Sequence, residues 1–254
     1  MTGNDPNHPA LVATDLAVHI ENRAVWSDVE IRIDRGETVA IVGPNGVGKS
    51  VLLSCLSGAL EPTRGTVELY GPDGRPVSGT DPAAVAPNGR VGYLPQQGLL
   101  PESLTGAEAV AFFRRLDGRI SDEWRSNVER LHMIDALDDP VSTYSVGMRR
   151  RLELAVVLAT DAPVILLDEP TAGLDPAITP SIHRLLERRT NDGTAVVLTT
   201  HRREDERIVD RVLSLSDGQL STGRPSNDGR PADDGRPADD DRLQSKLEDR
   251  HARV

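Results

Sequence analysis

The chain has 254 residues, enough to bury a full core as one domain carrying a small inserted subdomain. Hydrophobic residues at 37% and charged residues at 27% are ordinary for a globular protein, and a net charge of -11 argues against broad nucleic-acid binding, which needs clustered Lys and Arg. Cys55 is the sole cysteine, which rules out an internal disulfide and fits a reducing compartment; no apolar run approaches the ~18 residues that cross a bilayer, so any membrane role must come through a partner.

Residues 1–9 (MTGNDPNHP) are polar, with neither the basic nor the apolar segment of a secretory signal, and are expected to form a disordered lead. From Leu11 to Ile33 apolar and polar residues alternate, which predicts an antiparallel strand pair with a turn near Glu21-Asn22-Arg23. Thr38–Val42 reads as a short buried strand entering a glycine loop, and Val51–Leu60 follows with helical spacing. Thr66–Tyr70 and Arg90–Leu94 read as further strands joined by a Pro/Gly/Asp loop. Residues 97–143 change character. Ser103–Leu116 and Asp122–Leu137 have amphipathic helical spacing with no strand between them, and Ser145–Thr160 reads as a third helix. Together they predict a helical subdomain over about 97–160. Alternation then returns: strand Pro163–Leu167, helix Ala177–Arg189, strand Ala195–Thr199, helix Arg202–Val209 and strand Val212–Leu215. This pattern predicts an α/β fold with a mainly parallel sheet covered on both faces. After Gln219 the composition turns to Asp, Pro and Gly with a repeated DGRPAD, so 10–219 is expected to be the folded domain and 220–254 a disordered acidic tail.

Gly43-Pro44-Asn45-Gly46-Val47-Gly48-Lys49-Ser50 matches the phosphate-loop pattern G-x-x-x-x-G-K-[ST] in full, with a predicted strand before it and a helix from Val51 after it. Glycines let backbone N–H groups turn inward around phosphate oxygens, and the helix start behind them adds a favourable dipole. Lys49 is expected to reach the β- and γ-phosphates and the Ser50 hydroxyl to ligate Mg²⁺. Lys49 and Lys246 are the only lysines in a chain that otherwise writes Arg. A compact ammonium fits inside a loop of amides where a planar guanidinium does not.

Pro163-Val-Ile-Leu-Leu-Asp168-Glu169 is an apolar strand ending in two carboxylates. Downstream of a phosphate loop, Asp168 is placed to hold Mg²⁺ and Glu169 to act as general base on the attacking water. His201 follows the next strand and faces the ligand crevice of an open α/β sheet, where it could donate to the γ-phosphate. His8, His19, His132, His183 and His251 have no such context and read as structural or solvated.

With these residues in place the chain resembles an ABC transporter ATPase subunit over residues 11–218. The resemblance rests on the order of five motifs: the phosphate loop 43–50, Tyr93-Leu-Pro-Gln96, Tyr144-Ser-Val-Gly-Met148, the Asp168-Glu169 strand with Ala172-Gly-Leu-Asp175, and His201. It implies a P-loop NTPase fold with an antiparallel β subdomain and an inserted helical subdomain, using ATP and Mg²⁺. It implies further that Gln96 contacts the metal or water, and that Ser145 and Gly147 face the γ-phosphate held by a second ATPase subunit. Asp175 would lie at the dimer seam, and a transmembrane permease subunit would be driven from the inner face of the membrane. The wording YSVGMRRRLELA is similar to ATPases of the ABC-2 export type.

Two positions depart from the family pattern. Val146 stands where the signature commonly has its first glycine, and a valine would be strained if that position required φ > 0. Ile20 stands where an aromatic often stacks on adenine, which implies weaker base selection and room for GTP. Arg149, Arg150 and Arg151 read as the solvated face of their helix. The alternatives are a soluble ABC ATPase that remodels a macromolecule and a regulatory subunit with little turnover. Residues 97–143 are too short for the long coiled coil of repair ATPases, and Glu169 and His201 argue against a regulator without turnover. If adenine lies on Ile20, Ile20→Tyr should tighten ATP binding about two- to tenfold in a titration; unchanged affinity would remove that placement.

Overall fold

The architecture is set by strands whose successive side chains enter two different cores. The computed structural model describes residues 8–20, 23–71, 73–76 and 90–223. Strands β1 (Pro9–Ile20), β2 (Arg23–Asp34) and β4 (Arg64–Leu69) form a three-stranded antiparallel sheet in the order β2-β1-β4. Strands β3 (Thr38–Val42), β5 (Val91–Leu94), β6 (Val164–Asp168), β7 (Ala195–Thr199), β8 (Arg211–Ser216) and β9 (Gln219–Thr222) form a second sheet in the order β5-β6-β7-β3-β8-β9. All its pairs are parallel except β8–β9.

β3, β6 and β7 are buried along their whole length, yet they keep the period of two. Val39, Ile41, Val164, Leu166, Ala195 and Val197 enter a core shared with the antiparallel sheet and with helix α1 (Lys49–Ser57). Ala40, Ile165, Leu167, Val196 and Leu198 enter the opposite core. That second core is closed by α2 (Gly106–Leu116), α3 (Glu123–Arg130), α4 (Val146–Val157) and α5 (Thr179–Asn191). A one-turn helix, α6 (Arg203–Glu206), precedes β8.

Several elements differ from the sequence reading. α2 starts at Gly106, not Ser103, because Thr105 and Glu108 form a reciprocal capping box there. The helix expected over Asp122–Leu137 ends at Arg130. Leu131 and Met133 are both buried, and two positions so spaced cannot share one face of an α-helix. The chain instead turns through His132 at φ 54° into a 3₁₀ turn, Ile134–Ala136. The helix expected over Arg202–Val209 stops at Glu206, because Asp210 is committed to β3. Its carboxylate accepts from the Thr38 N–H at 2.8 Å and its own N–H donates to the Thr38 carbonyl at 2.9 Å.

Both expected domain edges shift. Pro9, read as part of the lead, opens β1. Residues 220–222, read as tail, belong to β9, which pairs antiparallel with β8 across Asp217-Gly218. Both turn residues have positive φ, at 51° and 75°, as a tight hairpin requires. Residues 1–7 of the lead and 224–254 of the acidic tail, the turn residues Glu21 and Asn22, and the side chain of Ile20 lie outside the described residues.

Candidate active site

Register brings the chemistry together. Asp168 pairs with Thr199, and Thr199 with Ile41, so β6, β7 and β3 end at one level of the sheet; Leu94 of β5 pairs with Leu167 beside them. The Gly43–Gly48 loop, Gln96, Glu169 and His201 therefore leave the same carboxyl edge, where parallel α/β sheets place ligands.

The loop from Gly43 runs directly into α1, whose first residue is Lys49, two positions earlier than the sequence spacing suggested. Gly48 lies at φ 101°, and a Cβ there would come within 2.5 Å of Val25 Cγ1 and 2.9 Å of Trp26 Cδ1. Only glycine satisfies both constraints. The Trp26 indole N–H donates to the Gly48 carbonyl at 3.3 Å, so β2 supports the loop from beneath. Pro44, Asn45 and Gly46 are exposed at the loop's tip, while Val47, Ser50 and Val51 are half-buried. Lys49 is buried, and its ammonium donates to the carbonyls of Gly43 and Pro44 at 2.9 Å each. Burial lowers its pKa below the ordinary lysine value, against the opposing pull of Glu169 and Asp168.

Asp168 is buried, and its two oxygens differ. Oδ1 accepts from the Thr199 hydroxyl at 2.5 Å, while Oδ2 has no hydrogen-bond partner among the described residues. A buried carboxylate oxygen without a donor is costly unless a cation or water completes it. With the Ser50 hydroxyl at the start of α1 and Gln96 at the same sheet edge, the residues present fit an oxygen-ligated Mg²⁺. Glu169 follows at φ 49°, a left-handed backbone that is uncommon outside glycine. Its N–H donates to Thr199 Oγ1 at 2.9 Å, and its carboxylate lies 3.1 Å from His201 Nε2. Thr199 thus binds Asp168, the last residue of β6, and Glu169 after it at once. Gln96, two residues beyond β5, is exposed.

The family model described as ABC transporter matches residues 26–172. This chain belongs to the ABC transporter family. It is 34% identical over 197 residues to the daunorubicin resistance ATP-binding protein DrrA3 of Streptomyces coeruleorubidus, covering 76% of this chain and 60% of that protein. It is 32% identical over 221 residues to the Nod factor export ATP-binding protein I of Azorhizobium caulinodans, covering 85% and 67%. Among solved structures it is similar to a dimeric ATP-binding cassette in a post-hydrolysis state bound to ADP and Pi. That match has a TM-score of 0.68 at 28% identity and covers 85% of this chain and 99% of the other. The chain spans only 4% to 28% of several other relatives. The α/β P-loop architecture with its antiparallel sheet is that of ABC ATPase domains.

The remaining positions implied by the ABC resemblance make local hydrogen bonds of their own. Ser145 is the N-cap of α4, its hydroxyl accepting from the Met148 N–H at 3.2 Å. Gly147 sits in the first turn of that helix, and Asp175 is exposed, its carboxylate accepting from the Ala177 N–H at 2.9 Å. None of the three is hydrogen-bonded to Lys49, Asp168, Glu169 or His201. Val146 is the first residue of α4 and is not among the positive-φ positions, so the anticipated strain is absent; its side chain is 80% exposed.

Sequence reasoning missed two groups. Arg150 is not on a solvated face but buried. Its helical spacing with Glu153, Leu154 and Val157, all buried, was the available signal. The second is Asp205, a buried carboxylate; His183, read as structural or solvated, is structural, its Nε2 lying 2.8 Å from Asp205 Oδ1. Asp205 Oδ2 accepts from Thr171 at 2.6 Å and from Thr200 at 2.7 Å, which joins the chain after Glu169 to the chain before His201. Burial would raise the Asp205 pKa, but the hydrogen bonds from His183, Thr171 and Thr200 together hold it below the ordinary value. A depressed carboxylate pKa contributes stability above the unfolded-state value of about 4 and loses it as pH falls through the folded-state value. Asp205→Asn should therefore lower unfolding stability by about 2–4 kcal/mol near neutral pH in urea titrations, and the gap to the parent should close below about pH 4.

Proposed function

We propose that this chain binds ATP with Mg²⁺ and hydrolyses it as the motor subunit of an ABC exporter, driving a separate permease partner through closure with a second ATPase subunit. The observation that carries the reading is the meeting, at one sheet edge, of a buried ammonium, a buried carboxylate oxygen without a donor, and a Glu169–His201 pair 3.1 Å apart.

In this reading the backbone amides of residues 43–48 and the start of α1 cradle the phosphates. Lys49, already desolvated, exchanges the Gly43 and Pro44 carbonyls for phosphate oxygens. Asp168, Ser50 and Gln96 would hold Mg²⁺, which when bound would supply neutralisation of the phosphate charge. Glu169 takes the proton of the attacking water, and His201 orients Glu169 and donates toward the γ-phosphate. Catalysis is positional and electrostatic, as phosphoryl transfer requires. Ser145, Gly147 and Asp175 serve the nucleotide held by the second subunit. A capped helix start suits an anion there.

The export assignment is supported by the drug-resistance and Nod-factor-export names of two relatives and by the wording of residues 144–155. No described helix is long and apolar enough to cross a membrane, so attachment to the inner face of the membrane falls to a permease partner.

Glu169→Gln should leave ATP affinity near the parent value and lower turnover about a hundredfold or more. The same variant should accumulate an ATP-bound dimer, visible by size-exclusion chromatography. Turnover at the parent rate would remove Glu169 from its role. Lys49→Ala should abolish nucleotide binding in an equilibrium titration, and a parent chain that binds no nucleoside triphosphate at millimolar concentration with Mg²⁺ would overturn the whole reading.

A further inference from the structure

Helix α4 turns two buried ionisable side chains toward the site, one helical turn apart. Arg150 and Glu153 are 8% and 3% exposed and approach to 3.8 Å. Between them they hold both ends of the segment that carries Gln96. Arg150 Nη1 donates to the Pro95 carbonyl at 2.6 Å, and Glu153 Oε1 accepts from the Leu99 N–H at 2.6 Å. Gly98 lies against the same carboxylate, where an added Cβ would come within 3.1 Å of Oε1.

The other guanidinium nitrogen reaches the end of β6. Arg150 Nη2 donates to the Asp168 carbonyl and to the Glu169 carbonyl, the latter at 3.3 Å. Glu169 is thereby held on both sides of its left-handed backbone. Its N–H is taken by Thr199 and its carbonyl by Arg150. A non-glycine residue keeps such a backbone only where its surroundings over-determine it. A buried ion pair is poor evidence for stability alone, since a well-packed apolar pair can serve as well. A planar fork that satisfies carbonyls on two different segments is a use that an apolar side chain or an ammonium cannot replace.

We propose that Arg150 and Glu153 form a clamp that fixes the backbone of Glu169 relative to the Gln96 segment and to the start of α4, which makes Arg150 a positioning residue for ATP hydrolysis. The inference rests on the ATPase reading above. Arg150 acts through Glu169, not on the nucleotide. Because Ser145 and Gly147 open the same helix, the seating of α4 and the aim of the general base are one mechanical unit. Turnover is then sensitive to the clamp while nucleotide affinity, which depends on the phosphate loop, is not.

The test uses the full chain with Mg-ATP and compares the parent with Arg150→Lys and Glu153→Gln. Lysine keeps the charge but cannot span Pro95 and Glu169. Glutamine keeps an acceptor for the Leu99 N–H but removes the charge beside Arg150. Arg150→Lys should lower kcat about tenfold or more, with KM and the dissociation constant for a fluorescent ATP analogue within about threefold of the parent. Glu153→Gln should lower kcat less, again at unchanged affinity. A parent kcat in Arg150→Lys overturns the clamp, and so does a parallel loss of kcat, affinity and Tm, which is the pattern of a loosened fold. Should Arg150→Lys fail to fold, Glu153→Gln decides: reduced kcat at parent affinity supports the clamp, and unchanged kcat overturns it. A parent chain without turnover overturns the ATPase reading and the clamp with it, whereas an active parent matched by both variants overturns the clamp alone.

Discussion

The pairing register of β3, β6 and β7 is the constraint on which the site depends. Thr199 can bind Asp168 through its hydroxyl and receive the Glu169 N–H only because Asp168 and Thr199 stand opposite each other at the sheet's edge. A one-residue slip of any strand would send each of its side chains to the other face. Here both faces are committed, since alternate residues of the same strands fill two separate cores. Ordinary hydrophobic packing on either side of the sheet thus holds a carboxylate, a hydroxyl and a phosphate loop level with one another.

The charges at that edge follow a common plan. Lys49 and Arg150 are both buried, and both satisfy their protons largely with backbone carbonyls. Carbonyl partners meet the cost of burying a cation without consuming a carboxylate oxygen. Among the described residues, Asp168 Oδ2 is consequently left without a donor, and the Glu169 side chain is left paired with His201. Had either cation bridged to Asp168 directly, the oxygen that best fits a metal would have been spent on structure.

The two halves of the site also differ in how they are held. The phosphate loop is pinned by close approach: Gly48 against Val25 and Trp26, with the indole on its carbonyl. The carboxylates are pinned by polar contacts that converge from β7, α4 and, through Asp205, from α5 and α6. In the proposed ATPase, sterically fixed backbone suits a loop that grips a triphosphate in one shape, and exchangeable hydrogen bonds suit a base whose position answers to a neighbouring helix.

The sequence by itself determined the α/β alternation, the phosphate loop, the two carboxylates after an apolar strand and His201, because each is written in contiguous residues with a local period or spacing. It carried the β8–β9 hairpin as well, in Asp217-Gly218, although the acidic composition that follows masked it. Only the tertiary structure decided the roles of Arg150, Glu153, Thr199, His183 and Asp205. The carbonyl partners of Arg150 lie 18 to 55 positions away, and His183 and Thr171 lie 22 and 34 positions from Asp205. The i, i+3, i+4, i+7 spacing of Arg150 with Glu153, Leu154 and Val157 hints that it faces a core, but which carbonyls its guanidinium meets is decided by what packs against the helix. Helix ends were decided the same way, at Leu131–Met133 by burial of both residues and at Asp210 by its bonds to Thr38. Long-range contacts override local propensity wherever a buried polar group must find its partner.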